Sequence, residues 1–313
     1  MYYIGIDIGG TNIACGIVNA QGEIVTKQSI KTEKHDYQTQ VERIAELISS
    51  VISDSQIPRE SIKRIGVGCP GCCNQELGVV ELAVNLDWYN VPLASDLEKL
   101  TGCNVFIDND ANAAAYGEFM VGAAKGANSA VVITLGTGVG AGIIVDGKLL
   151  YGANFAGGEI GHMVIRADGV PCNCGRCGCF EAYASATGLI RTTKAAMAQN
   201  PDSEMCRIAE QNGKVSARTA WLAAKSGDSA GKQVVDEYIR DLACGLTNVI
   251  NIFQPDILCI GGGVCNERDN LLFPLKKLIA EQVFSRNSAV NTEIAICQLG
   301  NDAGIIGAAM LGV

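Results

Sequence analysis

Two short glycine–threonine turns constrain most strongly what this chain can fold into: Asp7-Ile8-Gly9-Gly10-Thr11-Asn12 and Leu135-Gly136-Thr137-Gly138-Val139-Gly140. Each sits between two apolar runs, residues 3–6 and 13–18 around the first and 130–133 and 141–145 around the second. An apolar run, a glycine turn and a second apolar run read as a β-hairpin. The two hairpins align without a gap, Gly9 on Gly136, Ala14 on Ala141, Ile17 on Ile144 and Val18 on Val145. Such an internal repeat predicts two related half-domains facing each other. Glycine amides exposed at both tips make a two-sided clamp for phosphate, because backbone N–H groups in a tight turn form an anion-binding concavity. Glycine at 136 and 138 is also expected to allow positive φ.

The chain has 313 residues, enough for two domains with their own cores. With 48% hydrophobic and 18% charged residues it reads as packed and globular. A net charge of −9 leaves no electrostatic footprint for nucleic acid or an anionic membrane. An acidic protein that binds a phosphate group must hold the anion with local amides and a metal ion. No apolar stretch approaches a bilayer span and the first residues enter a strand directly, so the expected location is cytoplasmic. The 14 cysteines do not read as a disulfide framework, which belongs to short secreted chains. Cys15, Cys103, Cys244, Cys259 and Cys297 stand singly in apolar runs, as small hydrophobes do. Cys69 and Cys72 have C-x-x-C spacing without a thioredoxin-like surrounding pattern. His35, in a polar loop, reads as a solvated surface residue.

Along the chain, three strands run to about residue 30. Asp36 then caps a helix with Val41, Ile44, Leu47, Ile48, Val51 and Ile52 on one face. A strand over 62–67 ends at Cys69-Pro70-Gly71, a helix covers 93–100, and a strand over 104–107 delivers Asp108-Asn109-Asp110 to its C-terminal end. The alanine-rich run 111–119 is helical. The second half carries a helical insert over about 181–253, a strand at 257–260, Gly261-Gly262-Gly263, a helix, a strand at 293–297 and a last helix from Asp302. Strands alternating with helices imply an α/β sheet covered on both faces.

Rival nucleotide motifs fail on context. No Gly-Lys is followed by Ser or Thr, so there is no P-loop. Gly66-Val67-Gly68-Cys69-Pro70-Gly71 satisfies G-x-G-x-x-G, but Cys72-Cys73-Asn74 opens no helix; residues 136–141 run into a strand. Asp108-Asn109-Asp110-Ala111-Asn112 places three polar side chains at a strand end. One would suffice to cap the helix, so the surplus points at a ligand. The densest cluster is Gly157-Gly158-Glu159-Ile160-Gly161-His162 followed by Cys172, Cys174, Cys177 and Cys179. Four thiols in eight residues with one of the two histidines fit a structural zinc site of Cys3His type, with one candidate ligand to spare.

These residues, together with Pro70-Gly71, Asn85-Leu86-Asp87-Trp88, Glu181 and Gly261-Gly262-Gly263-Val264, resemble the ROK family of sugar kinases, repressors and uncharacterised proteins. The similarity covers essentially the whole chain and is greatest to the family's bacterial glucokinases. The resemblance implies an actin-like (hexokinase / ribonuclease H-like) ATPase fold of two α/β lobes around a cleft. Residues 1–118 with 302–313 would form the small lobe. Residues 119–301 would form the large lobe, with the zinc loop and helical insert. It implies Asp110 as catalytic base. Gly71, Asn85, Asn109, Asp110, Glu159, His162 and Glu181 would bind the sugar. Asp7, Gly9, Gly10, Thr11, Asn12, Gly136, Thr137, Gly138, Gly262 and Gly263 would serve ATP with Mg2+. The structural zinc ligands would be His162, Cys172, Cys174 and Cys179, leaving Cys177 spare.

The implied activity is ATP-dependent phosphorylation of a hexose, glucose at its 6-hydroxyl first, by a homodimer or homotetramer. Kinases for N-acetylmannosamine, N-acetylglucosamine, fructose or allose are the alternatives, because pocket volume at the sugar C2 position is not written in the sequence. A sugar-responsive regulator is the rival of another class. Family repressors carry a helix-turn-helix domain ahead of the Asp-Gly-Gly-Thr segment, for which the six residues before Asp7 are too few. Two departures from the family pattern stand out: Cys72-Cys73-Asn74 after Pro70-Gly71, and Cys177 at a position where a non-cysteine is usual.

Overall fold

The computed structural model describes residues 1–33 and 36–312, so the expectation for His35 lies outside them. The first glycine turn joins β1 (Tyr2–Ile8) to β2 (Asn12–Asn19), and β3 (Ile24–Lys31) continues the meander. Helix α1 (Tyr37–Ser55) follows, its first turn capped by Asp36, whose carboxylate accepts from the Thr39 amide. Its face of Val41, Ile44, Leu47, Ile48 and Val51 is buried. Next come β4 (Ile62–Cys69), the short strands β5 (Cys72–Asn74), β6 (Val79–Ala83) and β7 (Trp88–Val91), α2 (Leu93–Thr101), β8 (Val105–Asn109) and α3 (Asp110–Val121).

Strands β1, β2, β3, β4 and β8 form one sheet in the order β3-β2-β1-β4-β8. The hairpin pairs are antiparallel, while β1-β4 and β4-β8 are parallel. Isoleucines of β1 and β2 pack with the α1 face, Leu93 and Leu97 into a core from which water is excluded. A separate three-stranded sheet, β5-β6-β7, was not expected from the sequence. Its strands of three to five residues are too short to show an alternating pattern.

The second hairpin repeats the plan. Strands β9 (Ala130–Leu135), β10 (Val139–Val145) and β11 (Lys148–Leu149) are followed by the helical insert: α4 (Phe180–Ala184), α5 (Ala186–Gln199), α6 (Glu204–Gln211), α7 (Thr219–Lys225) and α8 (Ser229–Phe253). Then come β12 (Ile257–Gly261), α9 (Asp269–Gln282), β13 (Glu293–Ile296) and α10 (Ala303–Met310). The second sheet runs β11-β10-β9-β12-β13, the order of the first with each strand replaced by its counterpart. The repeat legible in the two turns is thus a repeat of whole-sheet topology.

Helix α10 is buried at every position. A helix apolar all round belongs in an interior, and this one lies directly on β1 and β4. A β-carbon on Gly5 would stand 1.8 Å from the Ile305 carbonyl oxygen, and one on Gly66 would stand 1.8 Å from that of Ala308. The chain divides into two compact units, residues 1–132, 142–158 and 297–313 in one, and 133–141 and 159–296 in the other. No helix among the described residues is long and apolar enough to cross a membrane.

Candidate active site

In the first unit the polar groups gather at the C-terminal edge of three parallel strands. Register sets Asp7 of β1 beside Gly68 of β4, and Gly68 beside Asp108 of β8, so the three strands leave the sheet along one edge. Ligands of α/β sheets bind outside such strand ends. From β1 the chain enters the 9–11 turn, closed by the Gly9 amide donating to the Asn12 carbonyl at 2.9 Å. The Thr32 hydroxyl buttresses it, donating to the Gly9 carbonyl at 2.7 Å. Thr11 and Asn12 are exposed.

The positive φ expected at Gly136 and Gly138 is absent, and these two, like Gly9 and Gly10, have ordinary backbone. A β-carbon on Gly10 or Gly136 would meet no protein atom within 4 Å. The fold does not require glycine at those two positions. What a side chain there would obstruct is approach to the amides from outside, as phosphate binding needs.

At the β8–α3 junction the three polar residues do different work. Asn109 caps the helix, its Oδ1 accepting the amides of Ala111 and Asn112 at 2.9 and 3.2 Å. Its Nδ2 donates to the Gly71 carbonyl at 3.0 Å. Asp108 is fully buried and turned into the protein, so the polar surplus expected to point at a ligand does not include it. Its Oδ1 accepts from the Asn109 amide at 2.7 Å, and from Asn112 Nδ2 and Gln75 Nε2 at 3.0 Å each. Asp110, the first residue of α3, is partly exposed and accepts the Ala111 amide at 2.9 Å. Burial, and then the charge of Asp110, raise the Asp7 carboxyl to about 6. Two carboxylates that repel at one edge form a donor set suited to a divalent cation.

Gly71 has φ +96°, and a β-carbon there would stand 1.9 Å from the Leu82 carbonyl oxygen. It is glycine for the fold, and its carbonyl holds Asn109. Asn85 lies in an exposed turn ahead of β7, and no hydrogen bond ties it to the other candidates among the described residues.

In the second unit, the 136–138 turn closes by the Gly136 amide donating to the Gly138 carbonyl at 3.0 Å. The Ala186 amide, at the start of α5, donates to the Gly136 carbonyl at 2.9 Å. Glu181 Oε2 accepts the Val139 amide at 2.9 Å and would stand 2.3 Å from a β-carbon on Gly138. Thr137 is exposed. Gly262 packs against Leu135, where a β-carbon would lie 2.3 Å from the carbonyl oxygen, whereas Gly263 has open space.

His162, Cys172, Cys174 and Cys179 bring one ligand atom each to within 4.8 Å of one another. Cys172 Sγ lies 3.7 Å from His162 Nδ1, and Cys174 Sγ lies 3.6 Å from Cys179 Sγ. Two thiolates on a tetrahedral zinc, each at about 2.3 Å, stand about 3.8 Å apart. Cys177 is exposed and outside the group. The chain reverses through Gly178, whose φ is +79° and where a β-carbon would stand 1.7 Å from the Arg166 carbonyl oxygen. Burial and neighbouring thiols push the Cys179 thiol up to about 12, a cost that a coordinated dication removes. With Nδ1 turned to the thiols, His162 Nε2 faces the exposed Glu159 carboxylate at 4.0 Å. Glu181 Oε1 is 3.8 Å from Cys172 Sγ, so this carboxylate links the cysteine loop to the 136–138 turn.

Gln75, Asn112 and Tyr151, for which the sequence suggests no role, surround Asp108. Asn112 was visible in the polar run; nothing local marks the other two, which reach Asp108 from distant segments.

A model of the ROK family matches residues 3–312. A glucokinase of Halalkalibacterium halodurans is 38% identical, over 99% of this chain and 94% of its own. A xylose repressor of Caldicellulosiruptor bescii is 31% identical, over 97% of this chain and 76% of its own. Among solved structures, a ROK family glucokinase of Streptomyces griseus, in complex with glucose and AMPPNP, superimposes with a TM-score of 0.83 at 32% identity. That match covers 99% of both chains.

Proposed function

The chain belongs to the ROK family and has its actin-like ATPase fold, and from that premise we propose that it is a glucokinase, transferring the γ-phosphoryl group of ATP to the 6-hydroxyl of glucose. The observation that carries this reading is the placement of Asp110. Its carboxylate stands at the strand edge where β1 enters the bare glycine turn, close enough for its charge to raise Asp7. Phosphoryl transfer passes through a loose transition state, so the protein's work is positioning and charge stabilisation. Asp110 orients the hexose hydroxyl and accepts its proton as the bond to phosphorus forms. Amides of residues 9–12 in the first unit are assigned to the phosphates, as are those of residues 136–138 and Gly263 in the second. Asp7 is the carboxylate that would hold Mg2+, which when bound offsets the charge of the transferring group. Gly71, Asn85 and Asn109 of the first unit, and Glu159, His162 and Glu181 of the second, are assigned to the hexose. His162, Cys172, Cys174 and Cys179 would hold a structural zinc that fixes the His162 ring and the Glu181 helix, as ligand-orienting contacts do in metal sites.

A panel of glucose, N-acetylmannosamine, N-acetylglucosamine, fructose and allose with ATP tests the reading. Glucose is expected to give the highest kcat/KM; preference for another sugar moves the assignment within the kinases. The repressor relative supports a second reading, a sugar-responsive regulator. Sugar binding with no turnover of any sugar favours that one. In the enzyme, Asp110→Asn keeps the side-chain shape and loses the proton acceptor. It is expected to lower kcat by about 10²–10⁴-fold while hexose affinity holds. Near-normal turnover removes Asp110 from the mechanism.

A further inference from the structure

The buried Asp108 carboxylate is unevenly satisfied. Its Oδ1 collects three N–H donors, from Asn109, Asn112 and Gln75. Its Oδ2 is buried without a hydrogen-bond partner among the described residues. An unsatisfied buried charged oxygen is costly, and such an atom in a native fold calls for an explanation. The Tyr151 hydroxyl stands beside this carboxylate. Burial, with the neighbouring Asp108 charge, pushes the phenol above its ordinary range, so Tyr151 remains a donor at working pH. Tyr151 belongs to a closed loop in which the Gly157 amide donates to the Tyr151 carbonyl at 2.8 Å.

We propose that Tyr151 and Asp108 are paired positioning residues for the transfer step: the Tyr151 hydroxyl is the donor placed to satisfy Oδ2 of Asp108 and so to fix the β8–α3 junction that presents Asn109 and Asp110. The proposal rests on the kinase reading above. Asp108 bonds directly to the Asn109 amide and, through Asn112, to the first turn of α3. Asn109 is thus held directly, and Asp110 lies between the two anchored residues, Asn109 and Asn112. A shift of the carboxylate therefore moves the proposed base and its neighbour together, and transfer rates are sensitive to displacements of that kind. Gln75 ties the β5–β6 hairpin to the same oxygen. Neither Tyr151 nor Asp108 needs to touch the sugar.

The test is steady-state kinetics of Tyr151→Phe, Asp108→Asn and the double variant, each at matched folded fraction by circular dichroism, with Asp110→Asn as reference. Tyr151→Phe removes one oxygen and should fold. Its glucose kcat/KM is expected to fall roughly tenfold, as for loss of a hydrogen bond to a charged group. The ATP KM should stay within about twofold, since the phosphate turns are untouched. The double variant should be no worse than the poorer single one, because both remove the same interaction. Wild-type kinetics in Tyr151→Phe, or strictly multiplicative losses in the double variant, overturn the pairing. So does a loss that only follows the folded fraction. Absence of phosphorylation by the wild type with every hexose would instead defeat the kinase reading, and it is seen before any variant is made.

Discussion

At the scale of single residues, the two glycines of the second turn are not equivalent. A side chain on Gly136 meets open space, whereas one on Gly138 collides with Glu181. Gly136→Val is therefore expected to raise the ATP KM with little change in the glucose KM. Gly138→Val should raise both, because it displaces a carboxylate assigned to the sugar. Equal effects of the two on glucose KM would mean that Glu181 does not serve the hexose. Asp7 yields a prediction of stability against pH. Its folded-state value of about 6 lies above the ordinary 3.8. Between those values the unfolded chain has released the proton and the folded one has not, so stability falls as pH rises through that interval and stays lowered above it. Asp7→Asn removes this penalty. In EDTA its Tm should exceed that of the wild type at pH 7.5 and match it near pH 4. A variant no more stable at pH 7.5 would show that Asp7 carries no such cost.

At the scale of elements, the cysteine loop and the strand-to-helix junction illustrate what a local pattern conveys. Cys-x-Cys spacing with an upstream histidine announced a metal cluster, because ligands close in sequence need only a tight reversal to meet. Which cysteine stays out is decided by where the reversal at Gly178 points each thiol. Cys177→Ser is expected to keep about one zinc per chain and near-normal activity. Cys174→Ser or Cys179→Ser should lose the metal and weaken glucose binding more than ATP binding. Elemental analysis of the purified variants checks this, and full zinc in Cys179→Ser with depletion in Cys177→Ser reverses the ligand choice. The Asp108-Asn109-Asp110 run was legible as polar surplus at a strand end, yet its division of labour was not. Capping by Asn109, burial of Asp108 and exposure of Asp110 follow from the direction in which each side chain leaves the β8–α3 corner. A one-residue step there turns a side chain from the interior to the sheet edge.

For the whole molecule, the first unit depends on a helix laid against bare backbone. Gly66→Val would drive a branched side chain into the Ala308 carbonyl and is expected to destabilise by about 3 kcal/mol or more. Urea denaturation followed by circular dichroism measures it; a cost below about 1 kcal/mol would mean that α10 can move off the sheet. By itself the sequence determined the fold class, the doubled hairpin and the His–Cys cluster. Periodicity, turn glycines and ligand spacing are short-range properties, expressed wherever the segment goes. Only the tertiary structure decided that the glycine turns keep ordinary backbone, that β5, β6 and β7 make their own sheet, and that Glu181 spans from the cysteine loop to the Val139 amide. It alone brought Gln75 and Tyr151 to Asp108, across separations of 33 and 43 residues. Contacts of that kind are set by how sheets and helices stack, and side chains that are unremarkable in their own segments acquire a role only when packing brings them to a shared buried charge.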